Sequence, residues 1–288
     1  MDLRERCIET NGIKLHVMES GPSDGLMILF LHGFPEFWYA WRKQIGYFAD
    51  RGCLVVAPDQ RGYNASDKPA GVAAYNIDEL AKDIIGLIDA YGRKQVFLVG
   101  HDWGASVSWW VALKYPSRVE KLAILNVPHP KVMARNLFAN QRQMEKSWYI
   151  FYFQLPGAVE KFGSAHNYAW PVHLLSTTSR PGAFTPEELE EYRRAFAQPG
   201  AFSAMVNWYR AMIQTQPEPP QSFDVAMPMI LLWGEDDVAM LSEMADQSMA
   251  YCKQGKLIKF PGVSHWIQHE EARKVNALIE ELITIPKR

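Results

Sequence analysis

Residues 95–104 read QVFLVGHDWG, and this stretch decides the fold. Residues 95–99 form an apolar, β-branched-rich run typical of a buried strand, and residues 105–114 have a helical pattern. Gly100 and Gly104 stand two positions before and two positions after Asp102. Small residues are needed there when a strand turns sharply into a helix, because the two backbones pass close together. The pattern therefore predicts a strand, a strained turn that holds Asp102 outward, and a helix.

Further apolar runs along the chain have the composition of buried strands. They cover residues 26–31, 53–57, 121–126, 229–233 and 257–260. Helical patterns lie between several of them, for example at residues 77–91. Alternation of strand and helix is typical of a mostly parallel sheet with helices on both faces. The sequence therefore predicts an α/β fold.

This alternation stops between about residues 129 and 226, where helical patterns occur without a convincing buried strand. Within this block, TPEE at residues 185–188 supplies an N-cap threonine, a proline at the first helical position and a glutamate at the third. The proline-rich residues 216–220 cannot extend a helix, because proline lacks the amide donor. We predict a core domain of residues 1–128 and 226–288, and an inserted helical cap domain, or lid, of residues 129–225.

Composition excludes several classes of function. The 288 residues contain 30 Lys and Arg against 32 Asp and Glu, so the formal charge of −2 offers no electrostatic footprint for nucleic acid or anionic lipid. Three widely spaced cysteines argue against a disulfide framework or a thiolate metal site. The start, MDLRERCIET, lacks the apolar stretch of a signal peptide, and no apolar run approaches the ~20 residues that span a bilayer. We expect a cytoplasmic protein that binds a small, largely neutral molecule and no membrane.

Asp102 occupies the place at which esterases and lipases carry serine, and no G-x-S-x-G occurs elsewhere in the chain. A serine adds to an acyl carbon, whereas a carboxylate can displace at a saturated carbon and leave an ester that water later cleaves. The residue type therefore indicates alkyl transfer. Taken alone, GHDWG at residues 100–104 is also compatible with an aspartate that only caps the following helix.

A loop that follows the first apolar strand is predicted to supply an oxyanion hole. HGFP at residues 32–35 comes directly after residues 26–31, where this kind of fold has its first oxyanion-hole amide. The pattern predicts that the backbone N–H groups of Phe34 and Trp103 hold an oxyanion on the Asp102 side chain. Pro35 cannot donate, but it stiffens the loop. Read alone, this tetrapeptide is also compatible with an ordinary turn.

The base and its orienting acid are predicted near the C-terminus. GVSHW at residues 262–266 follows the apolar run 257–260, which puts His265 on a loop at the carboxyl end of a strand. Asp237 lies three residues after Gly234 and is our choice to orient the imidazole, with Asp236 as the fallback. The chain order of nucleophile, acid and histidine is the order that this fold requires.

The remaining histidines have simpler interpretations. His265 and His269 are four residues apart, a spacing that zinc ligands on one helical face can have, but no third ligand is apparent. We expect His269 to be a solvated helix residue. His32, His101 and His129 are expected to be structural, satisfied by local hydrogen bonds or packing.

Together these motifs resemble those of the α/β-hydrolase-fold epoxide hydrolases, the soluble epoxide hydrolase family, over nearly the whole chain. Two regions are similar to characteristic sequence stretches of that family. The first is HGFPE at 32–36 with WY at 38–39 and WR at 41–42, and the second is PDQRGY at 58–63 with SDKP at 66–69. GHDWG at 100–104 and GVSHW at 262–266 complete the set. The resemblance implies an α/β-hydrolase fold with a cap, an epoxide as the small-molecule substrate, a vicinal diol as product, and neither metal nor organic cofactor.

The resemblance also assigns two tyrosines in the predicted cap. WYIFYFQLPG at 148–157 matches the family's lid segment and puts Tyr149 in the catalytic place, although Tyr152 is only three residues away. NWYR at 207–210 resembles the later lid motif, which makes Tyr209 its partner. Two phenols make chemical sense, because ring opening places charge on the epoxide oxygen, which must be hydrogen-bonded and then protonated. Substrate contacts are expected from six residues: Phe34, Pro35, Trp103, Ile150, Val238 and Trp266.

Two other classes of function remain open. Haloalkane dehalogenases share the fold, the aspartate and the tryptophan after it, but their second halide donor is often an asparagine where this chain has Phe34. Fluoroacetate-type dehalogenases usually carry arginines after the nucleophile, where Trp103 stands. A non-catalytic small-ligand receptor on this fold is the second class, because fold does not fix function, although Asp102, Asp237 and His265 are all present. The sequence is compatible with a monomer or a homodimer.

Overall fold

The apolar runs form one eight-stranded sheet in the computed structural model, which describes residues 2–284. In chain order the strands are β1 (Leu3–Thr10), β2 (Ile13–Ser20), β3 (Leu26–Leu31), β4 (Cys53–Pro58), β5 (Val96–His101), β6 (Val119–Leu125), β7 (Met229–Gly234) and β8 (Gly255–Phe260). Their spatial order is β1-β2-β4-β3-β5-β6-β7-β8. β1 and β2 are antiparallel to their neighbours, whereas all pairs from β4 to β8 are parallel. The predicted mostly parallel sheet is confirmed.

Helices cover both faces of this sheet. They are α1 (Arg42–Ala49), α2 (Ile77–Ala90), α3 (Trp103–Lys114), α4 (Pro130–Ala139), α5 (Gln141–Lys146), α6 (Trp148–Tyr152), α7 (Ala158–Thr178), α8 (Pro186–Phe196), α9 (Ala201–Gln214), α10 (Glu243–Ser248), α11 (Ile267–Glu270) and α12 (Ala272–Thr284). Alternate residues of β3 point to opposite faces: Ile28 and Phe30 pack with α1 and α12, whereas Leu29 and Leu31 pack with α2 and α3. Within residues 2–284, no helix has the length and apolarity needed to cross a bilayer.

The first two strands are a feature that the pattern of buried runs did not predict. In β2 the buried residues Ile13, Leu15 and Val17 alternate with more exposed ones, and most of β1 is exposed or half-buried. An antiparallel strand near the edge of a sheet buries only one face, so it has no continuous apolar run. The search for such runs therefore found the parallel strands and missed this hairpin.

The stretch between β6 and β7 is helical, as the sequence predicts. Residues 126–228, all of which the structure describes, contain six helices, α4 to α9, and no strand of the sheet apart from an isolated bridge at Val225. We call α4 to α9 the helical insertion. The predicted start of α8 is confirmed, because Thr185 and Glu188 exchange hydrogen bonds of 3.0 and 3.2 Å in a capping box. Residues 216–220 are not helical.

A buried ion pair joins α2 to the loop after β4, and a hydrogen bond from the same α2 residue reaches the β1–β2 hairpin. The guanidinium of Arg61 donates two hydrogen bonds of 2.6 and 2.7 Å to the carboxylate of Asp83, and both side chains are almost fully buried. The backbone carbonyl of Asp83 also accepts from the Thr10 hydroxyl at 3.0 Å. Removing one partner of such a pair strands a charge inside the protein.

We expect Asp83→Ala to lower the free energy of unfolding by about 3 kcal/mol, because the Arg61 charge would remain buried without its partner. Urea unfolding of wild type and variant measures this difference. Asp89→Ala is the matched control, since Asp89 lies on the same helix in an exposed ion pair with Arg118. A loss from Asp83→Ala no larger than that of the control would show that the pair contributes little.

Candidate active site

The turn between β5 and α3 has the geometry that its glycines predict. Asp102 adopts φ 50° and ψ −124°, a conformation that L-residues rarely take. A Cβ added at Gly104 would lie 2.0 Å from the carbonyl oxygen of Leu31, and one added at Gly100 would lie 2.4 Å from the carbonyl oxygen of Gly104. Any larger side chain would therefore force the two backbones apart. The turn holds the Asp102 side chain at the carboxyl end of the sheet.

The loop after β3 lies against this aspartate. Leu31 pairs with Gly100 in the register of β3 and β5, which brings the following residues beside the turn. The backbone N–H of Phe34 donates a 2.6 Å hydrogen bond to Oδ1 of Asp102. Trp103 is the first residue of α3, so its amide has no acceptor within the helix. Of the two amides predicted for an oxyanion hole, that of Phe34 therefore engages Oδ1 of Asp102, and that of Trp103 begins the helix directly after the nucleophile.

Asp237 and His265 form a polar series that reaches this carboxylate. Nδ1 of His265 is 2.7 Å from Oδ2 of Asp237, and Nε2 of His265 is 3.5 Å from Oδ2 of Asp102. Oδ1 of Asp237 accepts from the backbone N–H groups of Ala239 and Met240 at 2.7 and 3.0 Å. Asp237 is buried, whereas the fallback Asp236 is exposed. The structure therefore brings Asp237 to the imidazole.

Asn126 is a member of this series that the sequence reasoning missed. Its amide donates a 2.7 Å hydrogen bond to the same Oδ2 of Asp237, and its Oδ1 accepts from the backbone N–H of Gly234 at 2.9 Å. Asn126 follows β6 directly and has a φ of 52°. An asparagine at the carboxyl end of a parallel strand was the available signal, because asparagine tolerates that conformation better than most residues. Our prediction had placed it inside the strand.

The charges around His265 control its protonation. Burial alone would lower the pKa of His265, but the charges of Asp237 and Asp102 and the hydrogen bonds to them raise it to about 10. Burial likewise opposes ionisation of Asp237, yet His265 and Asn126 hold the pKa of that carboxyl below its usual value. In the resting site the Asp237 carboxyl is therefore ionised, and the imidazole of His265 is held in its charged form.

Tyr149 and Tyr209 lie close together and line the same cavity as Asp102, although they come from different helices, α6 and α9. Their ring centroids are 5.8 Å apart, and the Tyr209 ring lies 5.1 Å from that of Trp103 and 5.3 Å from that of Phe34. Burial first, and the charge of Asp102 second, raise the pKa of both phenols above the usual range. Both phenols therefore remain protonated hydrogen-bond donors at neutral pH.

A cavity of about 270 Å³ lies between the helical insertion and the sheet and contains this constellation. Asp102, Tyr149, Tyr209 and His265 line it, within walls that are mostly apolar and aromatic. A smaller compartment of about 40 Å³ adjoins Asp102 and the same two tyrosines. Among the described residues that line either space, Tyr152 does not appear.

Five of the six residues expected to contact substrate line one of these spaces. Phe34, Val238 and Trp266 line the larger cavity, and Trp103 and Ile150 line the smaller compartment. The remaining residue, Pro35, is buried and is not among the described residues that line either space. Its contact with substrate stays a prediction.

The expectation of a solvated His269 is wrong. His269 is 3% exposed, and its Nε2 lies 2.6 Å from Oε1 of Glu36 while Nδ1 accepts from Arg42 at 3.1 Å. Burial lowers the pKa of His269 to about 4 against the opposing charge of Glu36, so the imidazole is neutral. The four-residue spacing to His265 does not form a metal site, because the two imidazoles bind different carboxylates.

The three histidines expected to be structural are all fully buried. His32 accepts a 3.0 Å hydrogen bond from the backbone N–H of Gln60. Nε2 of His101 lies 2.9 Å from the backbone carbonyl of His265. His129 accepts at Nδ1 from the backbone N–H of Lys131 and stacks on a tyrosine ring. His32 and His101 thus each join two separate segments of the chain, whereas His129 caps the start of α4.

Comparisons with known proteins agree with this geometry. Residues 27–272 match the family model of the alpha/beta hydrolase fold. The chain is 43% identical over 276 residues to the AB hydrolase superfamily protein YfhM of Bacillus subtilis, with 96% of each protein covered. It is 37% identical over 284 residues to epoxide hydrolase 1 of Caenorhabditis elegans, which covers 96% of this chain and 70% of that protein. A crystal structure of a mutant of an epoxide hydrolase from Bacillus megaterium, complexed with its diol product, is similar with a TM-score of 0.89 and 31% identity, covering 97% of this chain and 100% of that one. The chain therefore belongs to the epoxide hydrolase family of the α/β-hydrolase fold.

Proposed function

We propose that this protein hydrolyses epoxides to vicinal diols through a covalent ester on Asp102. The observation that carries the proposal is the placement of a carboxylate on the strained turn, with two protonated phenols and an imidazole lining the same cavity. A neutral, mostly apolar epoxide suits the walls of that cavity. In this proposal residues 129–225 act as a cap that carries Tyr149 and Tyr209.

The first step is ring opening. Oδ2 of Asp102 attacks one epoxide carbon, so a new C–O bond forms while the bond from that carbon to the ring oxygen breaks. Oδ1 is already engaged by the Phe34 amide, which supports Oδ2 as the attacking atom. The charge that develops on the ring oxygen is stabilised by hydrogen bonds from Tyr149 and Tyr209, one of which finally supplies the proton.

The second step is hydrolysis of the ester. Esterification removes the charge of Asp102, which is one of the causes of the raised pKa of His265, and this favours the neutral imidazole that a general base requires. The charged imidazole passes its proton to the phenolate that ring opening leaves, which restores the phenol. Neutral His265 then takes a proton from water, and the hydroxide adds to the ester carbonyl carbon. The amides of Phe34 and Trp103 hold the oxyanion. Its collapse breaks the ester bond, the departing diol oxygen takes the proton from His265, and the carboxylic acid left on Asp102 returns its proton to His265.

The two other functions considered for the sequence have less support. A halide leaving group needs two side-chain donors, of which Trp103 could be one, but Phe34 stands where the second is often found. It makes no use of the two phenols that line the cavity with Asp102. A receptor would have no need of the hydrogen-bonded series from Asn126 through Asp237 to His265. A cytoplasmic location and a monomeric or homodimeric state stay predictions.

An isotope experiment tests the covalent route against direct attack of water on the epoxide. In a single turnover in oxygen-18 water with enzyme in excess, the ester route gives a first diol whose new hydroxyl is unlabelled, because that oxygen began as Oδ2 of Asp102. The label is expected in the Asp102 side chain. Mass spectrometry of the diol and of the peptide that contains Asp102 measures both. Label found at once in the diol, with an unlabelled Asp102 peptide, would overturn the covalent mechanism.

A further inference from the structure

The two active-site tyrosines need an explanation for their alignment, because they belong to separate helices. Among the residues that the structure describes, no backbone hydrogen bond joins α6 to α9. The rings of Tyr149 and Tyr209 nevertheless lie 5.8 Å apart, centroid to centroid, and line the same cavity as Asp102. Side chains must therefore fix the spacing of the two helices.

Gln154 makes the first of these connections. Its side-chain amide donates one 3.0 Å hydrogen bond to the carbonyl of Ile150, next to Tyr149, and another of 3.0 Å to the carbonyl of Tyr209 itself. One planar amide group thus joins the backbone of α6 to the backbone of α9 beside both phenols. The side-chain oxygen Oε1 of Gln154 accepts a separate 3.1 Å hydrogen bond from the exposed side chain of Gln214.

Arg210 makes the second connection from the opposite helix. Its guanidinium donates to the carbonyls of Phe153 and Leu155 at 3.0 and 3.1 Å and forms a bidentate ion pair with Glu160 at 2.5 and 3.1 Å. Only 7% of Arg210 is exposed. A planar, always charged group with several fixed donors can hold several acceptors in one geometry, which lysine cannot do.

The ring of Phe153 fills the space that these bonds enclose. It lies 5.9 Å from the ring of Tyr149 and 4.9 Å from the ring of Tyr209, centroid to centroid, and it is 1% exposed. The carbonyl of this same residue is one of the acceptors of Arg210. The spacing of the phenols is therefore set by one buried ring and held by the two polar side chains.

We propose that Gln154 and Arg210 are positioning residues that fix Tyr149 and Tyr209 for simultaneous hydrogen bonding to one epoxide oxygen. This proposal rests on the proposed function. Two donors stabilise a single developing charge only if both reach it, and a displacement of about 1 Å can cost 10²-fold in rate. The Gln154–Arg210 bridge therefore acts on ring opening. Hydrolysis of the ester depends on His265 and Asp237, which lie on core loops that these bonds do not touch.

The test measures the two chemical steps separately in single turnovers of Gln154→Leu and Arg210→Lys. We expect each variant to slow alkylation of Asp102 by about tenfold or more, with the hydrolysis rate of the ester nearly unchanged. Gln214→Leu is the matched control, because it removes only the bond to Oε1 and leaves both bonds that join the helices. Equal slowing of both steps, or a lower melting temperature with unchanged alkylation, would mean that the bridge is merely structural.

A double-mutant cycle with Tyr149→Phe gives a readout that a general loss of stability would not produce. If the bridge aligns two phenols, Gln154→Leu should cost much less in a protein that already lacks one of them, so the two losses should not add. Additive losses would overturn the proposal. An alkylation rate that is the same for wild type and Tyr149→Phe would instead count against the proposed function. The Gln154 variant provides the test alone if the Arg210 variant fails to fold.

Discussion

Replacing His265 by glutamine is expected to stop turnover after the first chemical step and to leave the substrate attached to Asp102. Asp102 opens the ring with the help of the phenols, so alkylation does not require the imidazole as a base. Hydrolysis of the ester does require it, and loss of a general base costs about 10²–10⁴-fold. The ester should therefore accumulate.

Intact-mass measurement after mixing His265→Gln with styrene oxide should find one added substrate mass, and peptide mapping should locate it on Asp102. His173→Gln is the matched control, because His173 is exposed on α7 and lines neither of the spaces at Asp102. That variant should turn over like wild type and remain unmodified. A His265→Gln protein that still turns over at the wild-type rate, without an adduct, would remove His265 from the mechanism.

The sequence predicted the parallel part of the sheet and the nucleophile's turn because each depends on short-range chemistry. Fully buried strands have apolar runs, and the turn at Asp102 requires glycines at fixed positions. The β1–β2 hairpin was missed because only one face of it is buried. The sequence favoured Asp237 over Asp236 only through its spacing from Gly234. The structure gives the physical reason for that choice, because Asp237 is buried beside His265 whereas Asp236 is exposed.

The rest of the site depends on contacts between distant segments, which no local pattern contains. His269 was misread because a histidine followed by two glutamates in a short helix has the composition of a solvated turn. In the structure it meets Glu36 from the loop after β3, 233 residues away in sequence. Asn126, Gln154 and Arg210 are similar cases, since each is a polar residue whose role appears only when its partners are known.

Removal of both phenols is expected to nearly abolish ring opening, whereas removal of one should leave a measurable rate. One hydrogen-bond donor to a developing oxyanion is worth about 10²-fold or more, and the remaining phenol can still stabilise the oxygen in a single variant. We therefore expect Tyr149→Phe and Tyr209→Phe each to slow single-turnover alkylation by about 10²-fold, and the double variant by about 10⁴-fold.

The state of the phenols sets the pH dependence of this step. Because burial and the charge of Asp102 raise the pKa of both groups, the donor form is present at neutral pH and is lost only as pH rises through the raised values. The alkylation rate of either single variant should therefore not decline between pH 7 and about 9, where an unperturbed phenol, with a pKa near 10, would begin to ionise. A decline in that range would mean that the remaining phenol titrates like an exposed one.

Tyr152→Phe is the control that tests the assignment of Tyr149 within α6. The two tyrosines are three residues apart on a short helix, but only Tyr149 lines the cavity together with Asp102, and the ring of Tyr152 lies 6.0 Å from that of Trp148. Loss of the Tyr152 hydroxyl should leave the alkylation rate close to that of wild type. If Tyr152→Phe is the damaging change and Tyr149→Phe is not, then Tyr152 supplies the proton. The pairing of Tyr149 with Tyr209, and the role of the Gln154–Arg210 bridge in aligning them, would both be wrong.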